Sequence, residues 1–112
     1  MQEHIQNELA SFIANCDWEK IAPHFKEDAA YRVLDWIGCA VAGEHYPQVE
    51  IAQKYFIENG DQGNSTVIGH QIKCSPRTAA FLNGIAGHVC ELDDGHRTAI
   101  GHPGSIAVPT AL

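Results

Sequence analysis

The sequence is poor in positive charge and lacks the marks of several common functional classes. It carries 7 Lys and Arg against 14 Asp and Glu, a formal net charge of -7, and no basic cluster that would neutralise phosphates. This balance argues against nucleic acid or an anionic membrane surface as a partner. No apolar run approaches the roughly 20 residues that cross a bilayer, and the first residues lack the basic and apolar regions of a signal peptide. We therefore expect a cytoplasmic protein without a nucleic-acid or membrane partner.

The sequence also lacks paired cysteines and the motifs of several enzyme classes. Its four cysteines, Cys16, Cys39, Cys74 and Cys90, are widely spaced and form no C-x-x-C pair. Three of them, at 16, 39 and 90, lie in apolar helical contexts, which predicts buried, reduced thiols rather than disulfides or a zinc knuckle. Neither a G-x-S-x-G motif nor the lysine of a phosphate-binding loop is present. A nucleophilic triad or a phosphate loop therefore has no support.

Hydrophobic periodicity and turn signals predict one small, mainly α-helical unit with about five helices. Proline and serine mark several starts, and glycine marks ends. A glycine-punctuated segment near 65–73 is predicted as a short β-hairpin or extended ribbon. The predicted helices cover about 3–16, 23–43, 47–59, 76 onward and 106 onward, the last capped by Ser105, with a short turn at 18–20.

Apolar stripes predict which helix faces are buried. The second helix becomes nearly all apolar from Trp36 to Ala42, and its small residues at 38, 40 and 42 would let another helix approach closely. We expect it to be a buried, central element. The first and third helices are expected to bury the stripes Ile5, Leu9, Phe12 and Ile13, and Ile51, Ala52, Tyr55 and Phe56.

Titratable residues are densest in the last quarter of the chain, directly after the apolar segment of the predicted fourth helix. If that helix runs as far as Gly95, then Gly84, His88, Glu91 and Gly95 share one narrow face. His88 and Glu91 would lie side by side, able to hydrogen-bond or to bind a polar substrate group together. This density of ionisable groups predicts a site for chemistry.

Further ionisable residues follow in the same segment. Asp93 and Asp94 would end the fourth helix, where the macrodipole disfavours carboxylates, so Arg97 or a histidinium is expected as their partner. His102 lies close before the fifth helix, in a position suited to binding a carboxylate or another anion.

A divalent metal is a competing interpretation of the same segment, since carboxylates and imidazoles are its ordinary ligands. No H-E-x-x-H motif or other recognised ligand spacing is present, and the spacing therefore predicts no metal site. The residues that could ligate an ion are His88, Glu91, Asp93, Asp94, His96 and His102.

These residues also carry a family resemblance. The run AAFLNGIAGH at 79–88, continued by ELDDGHR at 91–97 and HPG at 102–104, resembles the MmgE/PrpD family. That family includes 2-methylcitrate dehydratase, cis-aconitate decarboxylase and iminodisuccinate epimerase. Upstream, LDWIGCAVAG at 34–43 and GNSTVIG at 63–69 are similar to further family motifs, in the same order.

The resemblance implies a large all-helical domain joined to a smaller α+β lid, and residues 1–112 would be an N-terminal fragment of the helical domain. It implies chemistry without metal or organic cofactor on a small di- or tricarboxylate. A proton is removed next to a carboxylate, followed by loss of water, loss of carbon dioxide or reprotonation. By the same resemblance, catalytic roles would go to Asp93, Asp94 and His102, and substrate binding to His88, Glu91, His96 and Arg97.

Departures from the family pattern leave the reaction open. Glu91 stands where decarboxylase-like members carry aspartate, Gly95 stands where they carry threonine, and the loop to His102 is one residue longer. We expect a reaction most like that of 2-methylcitrate dehydratase, but the lysines of the family's later helices would follow Leu112. The 112-residue chain alone is therefore expected to be inactive. One alternative is an inert or oligomerising helical module that exposes apolar faces of its second and fourth helices. A second alternative is a metal-binding module. A homo-oligomer is expected.

Overall fold

The computed structural model describes residues 2–112, which form five α-helices and one short antiparallel hairpin. The predicted mainly α-helical fold with a hairpin is confirmed. None of the helices in this range combines the length and the apolar character needed to span a membrane. The helices are α1 (Gln2–Ala14), α2 (Pro23–Gly43), α3 (Pro47–Glu58), α4 (Pro76–His88) and α5 (Gly104–Ala111). The strands are β1 (Ser65–Thr66) and β2 (Lys73–Cys74), with Ser65 opposite Cys74, and a 3₁₀ turn covers Trp18–Lys20.

Local sequence signals set the starts of most helices. Proline occupies the first turn of α2, α3 and α4, where its missing N–H would have no partner within the helix. The Ser75 side chain caps α4 by accepting the N–H of Thr78 at 3.3 Å. The predicted ends are less accurate: α1 stops at Ala14, α4 stops at His88 instead of reaching Gly95, and α5 begins at Gly104 instead of Ile106.

Helix α4 is the central element. It packs against α2, α3, α5 and both strands, and so takes the position expected for α2. Its Asn83 side chain is buried, accepts the Ile68 N–H at 2.8 Å and donates to the Thr66 carbonyl at 3.0 Å. The hairpin is thereby fixed to α4. Helix α4 contributes to two apolar clusters, the first formed by Trp36, Ala40, Val49 and Ala86, the second by Val67, Cys74, Ala79 and Leu82.

Two glycines bring α2 and α4 into close contact. A Cβ atom at Gly43 would overlap the Ala86 carbonyl oxygen, and one at Gly87 would overlap the Trp36 indole. The predicted close approach of another helix to α2 is therefore found, but the glycine of α2 at which α4 comes closest is Gly43. Gly38, one of the residues singled out in the sequence, has no neighbouring atom within 4 Å of a Cβ position.

Replacing Gly43 with alanine is expected to destabilise the fold by about 1–3 kcal/mol, because α2 and α4 must move apart to admit a methyl group. Gly38→Ala, on the same helix, should instead stabilise it by up to about 1 kcal/mol, since alanine is the better helix former and the space is open. Urea unfolding followed by circular dichroism measures both variants. Equal effects from the two substitutions would contradict the close contact at Gly43.

The structure corrects the predicted buried faces of α1 and α3. The α1 stripe Ile5, Leu9, Phe12 and Ile13 is 57–69% exposed. On α3, Ile51 and Tyr55 are exposed, Ala52 and Phe56 are partly buried, and the buried residues are Val49 and Gln53. A periodic stripe shows which face is apolar but not whether another element covers it. Helix α2 is also less buried than predicted, since Tyr31 and Leu34 are exposed. With Phe81 of α4 they form the kind of exposed apolar surface that the helical-module alternative places on these two helices.

The four thiols are free. Cys39 is buried as predicted, and Cys74 of β2 is buried in the second apolar cluster. Burial raises the pKa of each of these two thiols. Cys16 is exposed and lies after the end of α1, and Cys90 is half-buried beyond the end of α4. The prediction of buried thiols in helices is therefore wrong for Cys16 and holds in part for Cys90.

Candidate active site

The chain reverses direction directly after α4. Glu91 adopts a left-handed backbone with φ 54°, and its N–H bonds to the His88 carbonyl at 2.9 Å. A left-handed residue cannot continue an α-helix. The predicted helical face from Gly84 to Gly95 is therefore wrong. His88 and Glu91 still meet, because the turn returns the Glu91 side chain to the imidazole, with 3.5 Å between Nε2 and Oε1.

Asp93 is the centre of the site. Its side chain is completely buried, and both carboxylate oxygens lie within hydrogen-bond distance of His88 Nδ1, at 3.1 and 3.2 Å. The Ser105 hydroxyl, in the first turn of α5, donates to Oδ2. His102 Nδ1 is buried and lies 3.3 Å from Oδ1, without the alignment of a hydrogen bond. One carboxylate thus connects α4, the turn, the loop at 102 and α5.

Hydrogen bonding keeps Asp93 ionised despite its burial. Burial alone would raise the pKa of this carboxyl, but hydrogen bonds from Ser105 and His88, with the charge of His88, outweigh burial and lower the pKa below its ordinary value. An ionised carboxylate only accepts hydrogen bonds. His88 must therefore carry a proton on Nδ1.

The same reasoning fixes which ring nitrogen is available for chemistry. With Nδ1 protonated against Asp93, a neutral His88 presents the lone pair of Nε2. For His102, a proton on Nδ1 faces the same carboxylate, which favours the same tautomer. Both Nε2 atoms approach Glu91, at 3.5 Å from His88 to Oε1 and 3.9 Å from His102 to Oε2. The two rings meet edge to face with 4.6 Å between centroids.

This arrangement can move protons at a solvent-accessible position. The His88, Glu91 and His102 side chains are 43%, 72% and 33% exposed, while the carboxylate that orients the imidazoles is buried. An imidazole oriented by a buried carboxylate is a common general acid or base. The two imidazoles border an open groove of about 710 Å³, whose other walls include Phe81, Ile85, Ile106 and Pro109.

Asp94 has a different role from its neighbour. It accepts the Gly104 N–H at 2.8 Å and so caps α5, whose N-terminal residue it contacts. The predicted position of Asp93 and Asp94 at the unfavourable end of α4 is wrong, because the turn at Glu91 carries both to the N-terminal end of α5. Negative charge is favourable there. The predicted anion position of His102 before α5 is found, although the structure shows no anion-binding role for it.

His96 and Arg97 are not brought into the cluster. His96 closes the loop 96–101: its N–H bonds to the Gly101 carbonyl at 2.9 Å and its Nδ1 accepts the Ala99 N–H at 3.0 Å. Within residues 2–112, no ion pair forms between Arg97 and a carboxylate. Both side chains are exposed, around a shallow depression that also reaches His102. Of the two partners expected for the aspartates, Arg97 or a histidine, the structure places histidines at Asp93 and leaves Arg97 apart, while Asp94 accepts the Gly104 N–H.

Two residues of the site were not predicted from the sequence. Ser105 was expected to cap α5 but lies inside that helix, and its hydroxyl bonds to Asp93. Trp36 Nε1 donates to the Ser105 oxygen at 3.3 Å, which joins the first apolar cluster to the site. The proximity of Ser105 to HPG is the signal that pointed to this region, but its partner depends on how α5 packs.

Comparison with known proteins identifies the family of the chain. The family model for the MmgE/PrpD N-terminal domain matches residues 7–112. The chain is 31% identical over 106 residues to the cis-aconitate decarboxylase-like protein oryM of Aspergillus oryzae, which covers 95% of this chain and 22% of that protein. No solved structure matches. The chain thus spans about a fifth of the length of that curated relative, and because the family model covers nearly all of it, the chain belongs to the MmgE/PrpD family.

Proposed function

We propose that this chain is the N-terminal segment of the helical domain of a carboxylic-acid lyase or isomerase. The proposed substrate is a small di- or tricarboxylate, and the proposed reaction most resembles that of 2-methylcitrate dehydratase: a proton is removed next to a carboxylate and water is lost. The observation that supports this best is the pair of imidazoles, His88 and His102, which lie against the buried Asp93 carboxylate and line the groove. Family membership supports it independently.

The proposal gives each residue of the site a role. His102 is proposed as the proton-transfer residue, and Asp93 as the residue that sets its tautomer and stabilises its charged form. In the protonated state either Nε2–H can donate to a substrate carboxylate, a charge-assisted hydrogen bond. His88 borders the same groove and Glu91 lies beside both Nε2 atoms, and both would contact substrate polar groups. Asp94, by capping α5, holds the HPG segment in place and acts on His102 only through the backbone.

Charge limits what the described residues do on their own. Removing a proton next to a carboxylate places further negative charge on the substrate, and cationic groups must stabilise it. Asp93 and Glu91 add negative charge to the site, and Arg97 lies in the loop outside the cluster. We therefore propose that the natural enzyme supplies further cationic side chains to this site, and that the 112-residue chain binds carboxylates weakly.

A second reaction, decarboxylation, is favoured by one observation. The curated relative from Aspergillus oryzae is named as cis-aconitate decarboxylase-like. Loss of carbon dioxide also leaves a carbanion that must be reprotonated, so the same imidazoles would serve as the acid. Dehydration and decarboxylation therefore differ in substrate and product rather than in the histidines used.

The test is a titration of the 112-residue chain with 2-methylcitrate, citrate and cis-aconitate, followed by NMR of the histidine ring signals. We expect the signals of His88 and His102 to move with one of these acids, while the exposed His24 signal stays fixed. His102→Gln should weaken that binding by about ten-fold, the contribution of one charge-assisted hydrogen bond. His24→Gln is the matched control and should leave it unchanged.

Product analysis separates the reactions. With the natural enzyme, which would supply the further cationic side chains, long incubations analysed by chromatography would show an unsaturated tricarboxylate from methylcitrate if water is lost. They would show carbon dioxide release from cis-aconitate if the second reaction holds. Histidine signals that do not respond to any of the acids would contradict the proposed carboxylate site and favour a non-catalytic helical module.

A further inference from the structure

We infer that His88, Glu91 and His102 form a binding site for one divalent transition-metal ion, with zinc as the best fit. The sequence contains no recognised ligand spacing for such a site. The left-handed turn at Glu91 and the loop 96–101 nevertheless bring two imidazoles and one carboxylate together. One ligand atom from each of the three side chains lies within 4.8 Å of the other two.

The distances fit a metal after a small contraction. Ligand atoms bound tetrahedrally to zinc at about 2.0–2.1 Å lie roughly 3.4 Å from one another. The carboxylate oxygens of Glu91 already lie 3.5 Å from His88 Nε2 and 3.9 Å from His102 Nε2. Because Glu91 is 72% exposed and unpacked, its side chain can adjust at little cost. Three protein ligands would leave a coordination position open towards the groove.

Asp93 prepares both imidazoles for this role. Metal-bound histidines usually donate their second N–H to a carboxylate, which fixes the tautomer and makes the ligating nitrogen more basic. His88 Nδ1 donates to Asp93 at 3.1 Å, and His102 Nδ1 lies 3.3 Å from the same carboxylate. One buried carboxylate thus orients the His88 ring by a hydrogen bond and faces the Nδ1 edge of the His102 ring, while both Nε2 atoms lie near Glu91.

The donor set selects the type of ion. Two imidazole nitrogens with one carboxylate oxygen suit zinc, cobalt and nickel, whereas magnesium and calcium prefer a shell of oxygens. A divalent cation would also offset the negative charges of Glu91 and Asp93, for which the described residues supply no Lys or Arg within ion-pair distance.

This inference does not rest on the proposed function. Metal binding at Nε2 of His102 would occupy the lone pair that the proposed proton transfer uses. The ion would therefore act as a reversible inhibitor of the proposed reaction and not as its cofactor. Metal binding is measured with the metal alone. Failure of the chain to bind carboxylates would therefore leave the metal site standing, and failure to bind the metal would leave the proposed carboxylate site standing.

The experiment is calorimetric titration of the 112-residue chain with Zn²⁺ at neutral pH, with Co²⁺ absorption as a report of coordination geometry. We expect one zinc per chain and the intense visible bands of tetrahedral cobalt. Asp93→Asn should weaken zinc binding by about 10–100-fold, and Glu91→Gln and His102→Ala should each weaken it further. His24→Ala removes an exposed histidine of α2 and should leave the affinity unchanged.

Glu91→Gln keeps the inference testable if the variants at buried positions fail to fold, because Glu91 is exposed. Circular dichroism can verify that this variant retains its helices. The inference is overturned if the unaltered chain binds no stoichiometric zinc. It is equally overturned if Glu91→Gln and His102→Ala bind zinc as tightly as the unaltered chain, since the ion would then sit elsewhere.

Discussion

Replacing Trp36 with alanine is expected to lower the free energy of unfolding by about 3–5 kcal/mol, the usual cost of removing a buried aromatic ring. Trp36 is 2% exposed, belongs to the first apolar cluster and packs against Gly87 of α4. Small domains have only about 5–15 kcal/mol of stability in total. The variant should therefore be largely unfolded at modest urea concentrations.

Trp36→Ala should alter the candidate active site in addition to destabilising the core. The indole N–H donates to Ser105, whose hydroxyl donates to Asp93. Without the indole, Ser105 loses its donor and α5 loses part of its contact with α2. A histidine NMR spectrum of Trp36→Ala recorded before unfolding should show altered His88 and His102 signals.

Trp18→Ala is the matched control, since the chain has two tryptophans. Trp18 is 59% exposed, and its ring lies under the Lys26 ammonium at 4.9 Å. An exposed contact of this kind contributes about 0.5–1 kcal/mol. Urea unfolding of both variants, followed by circular dichroism, gives the comparison; similar losses for Trp18 and Trp36 would contradict the assigned core.

The parts of the fold that were predictable are those set by local chemistry. The starts of α2, α3 and α4 follow from proline in the first turn, and in α4 also from the Ser75 cap. The end of α4 was not predictable in this way. Its left-handed residue is Glu91, whereas such positions are ordinarily marked by glycine or asparagine. That conformation accompanies the burial of Asp93 two residues later, a tertiary feature that no local pattern marks.

The candidate site shows the same division. The proximity of His88 and Glu91 could be predicted, because their spacing is short and survives the change from helix to turn. The distinct roles of Asp93 and Asp94 could not. Adjacent residues of identical chemistry differ here because one side chain enters the space between α4 and α5 while the other reaches the N-terminus of α5. That difference depends on tertiary packing, which no local pattern records.

Asp93→Asn is expected to destabilise the fold by about 3 kcal/mol at neutral pH. The buried carboxylate accepts hydrogen bonds from His88 and Ser105 and lies 3.3 Å from His102 Nδ1. An amide of the same shape replaces one accepting oxygen with an N–H₂ donor that faces these donors. Breaking a buried charged network in this way leaves polar groups unpaired. It lowers the free energy of unfolding several times more than losing a surface contact does.

The pH dependence follows from the lowered pKa of Asp93. In the unfolded chain this carboxyl titrates near its ordinary value of 3.8, and in the folded protein it titrates below that value. The unfolded state therefore binds the proton more readily. The stability contributed by ionised Asp93 is fully present above the unfolded pKa and is lost as the pH falls through the folded pKa. The difference in unfolding free energy between the unaltered chain and Asp93→Asn should accordingly be greatest at neutral pH and shrink in acid.

Asp94→Asn separates this effect from the general loss of an acid. Asparagine is as good a helix cap as aspartate, so its amide oxygen can still accept the Gly104 N–H. Only the interaction of the charge with the helix dipole is lost, about 0.3–1 kcal/mol. Urea unfolding of both variants across an acid-to-neutral pH series measures the contrast. If Asp94→Asn cost as much as Asp93→Asn, with the same pH dependence, then the buried network around Asp93 would not be what holds α4 and α5 together.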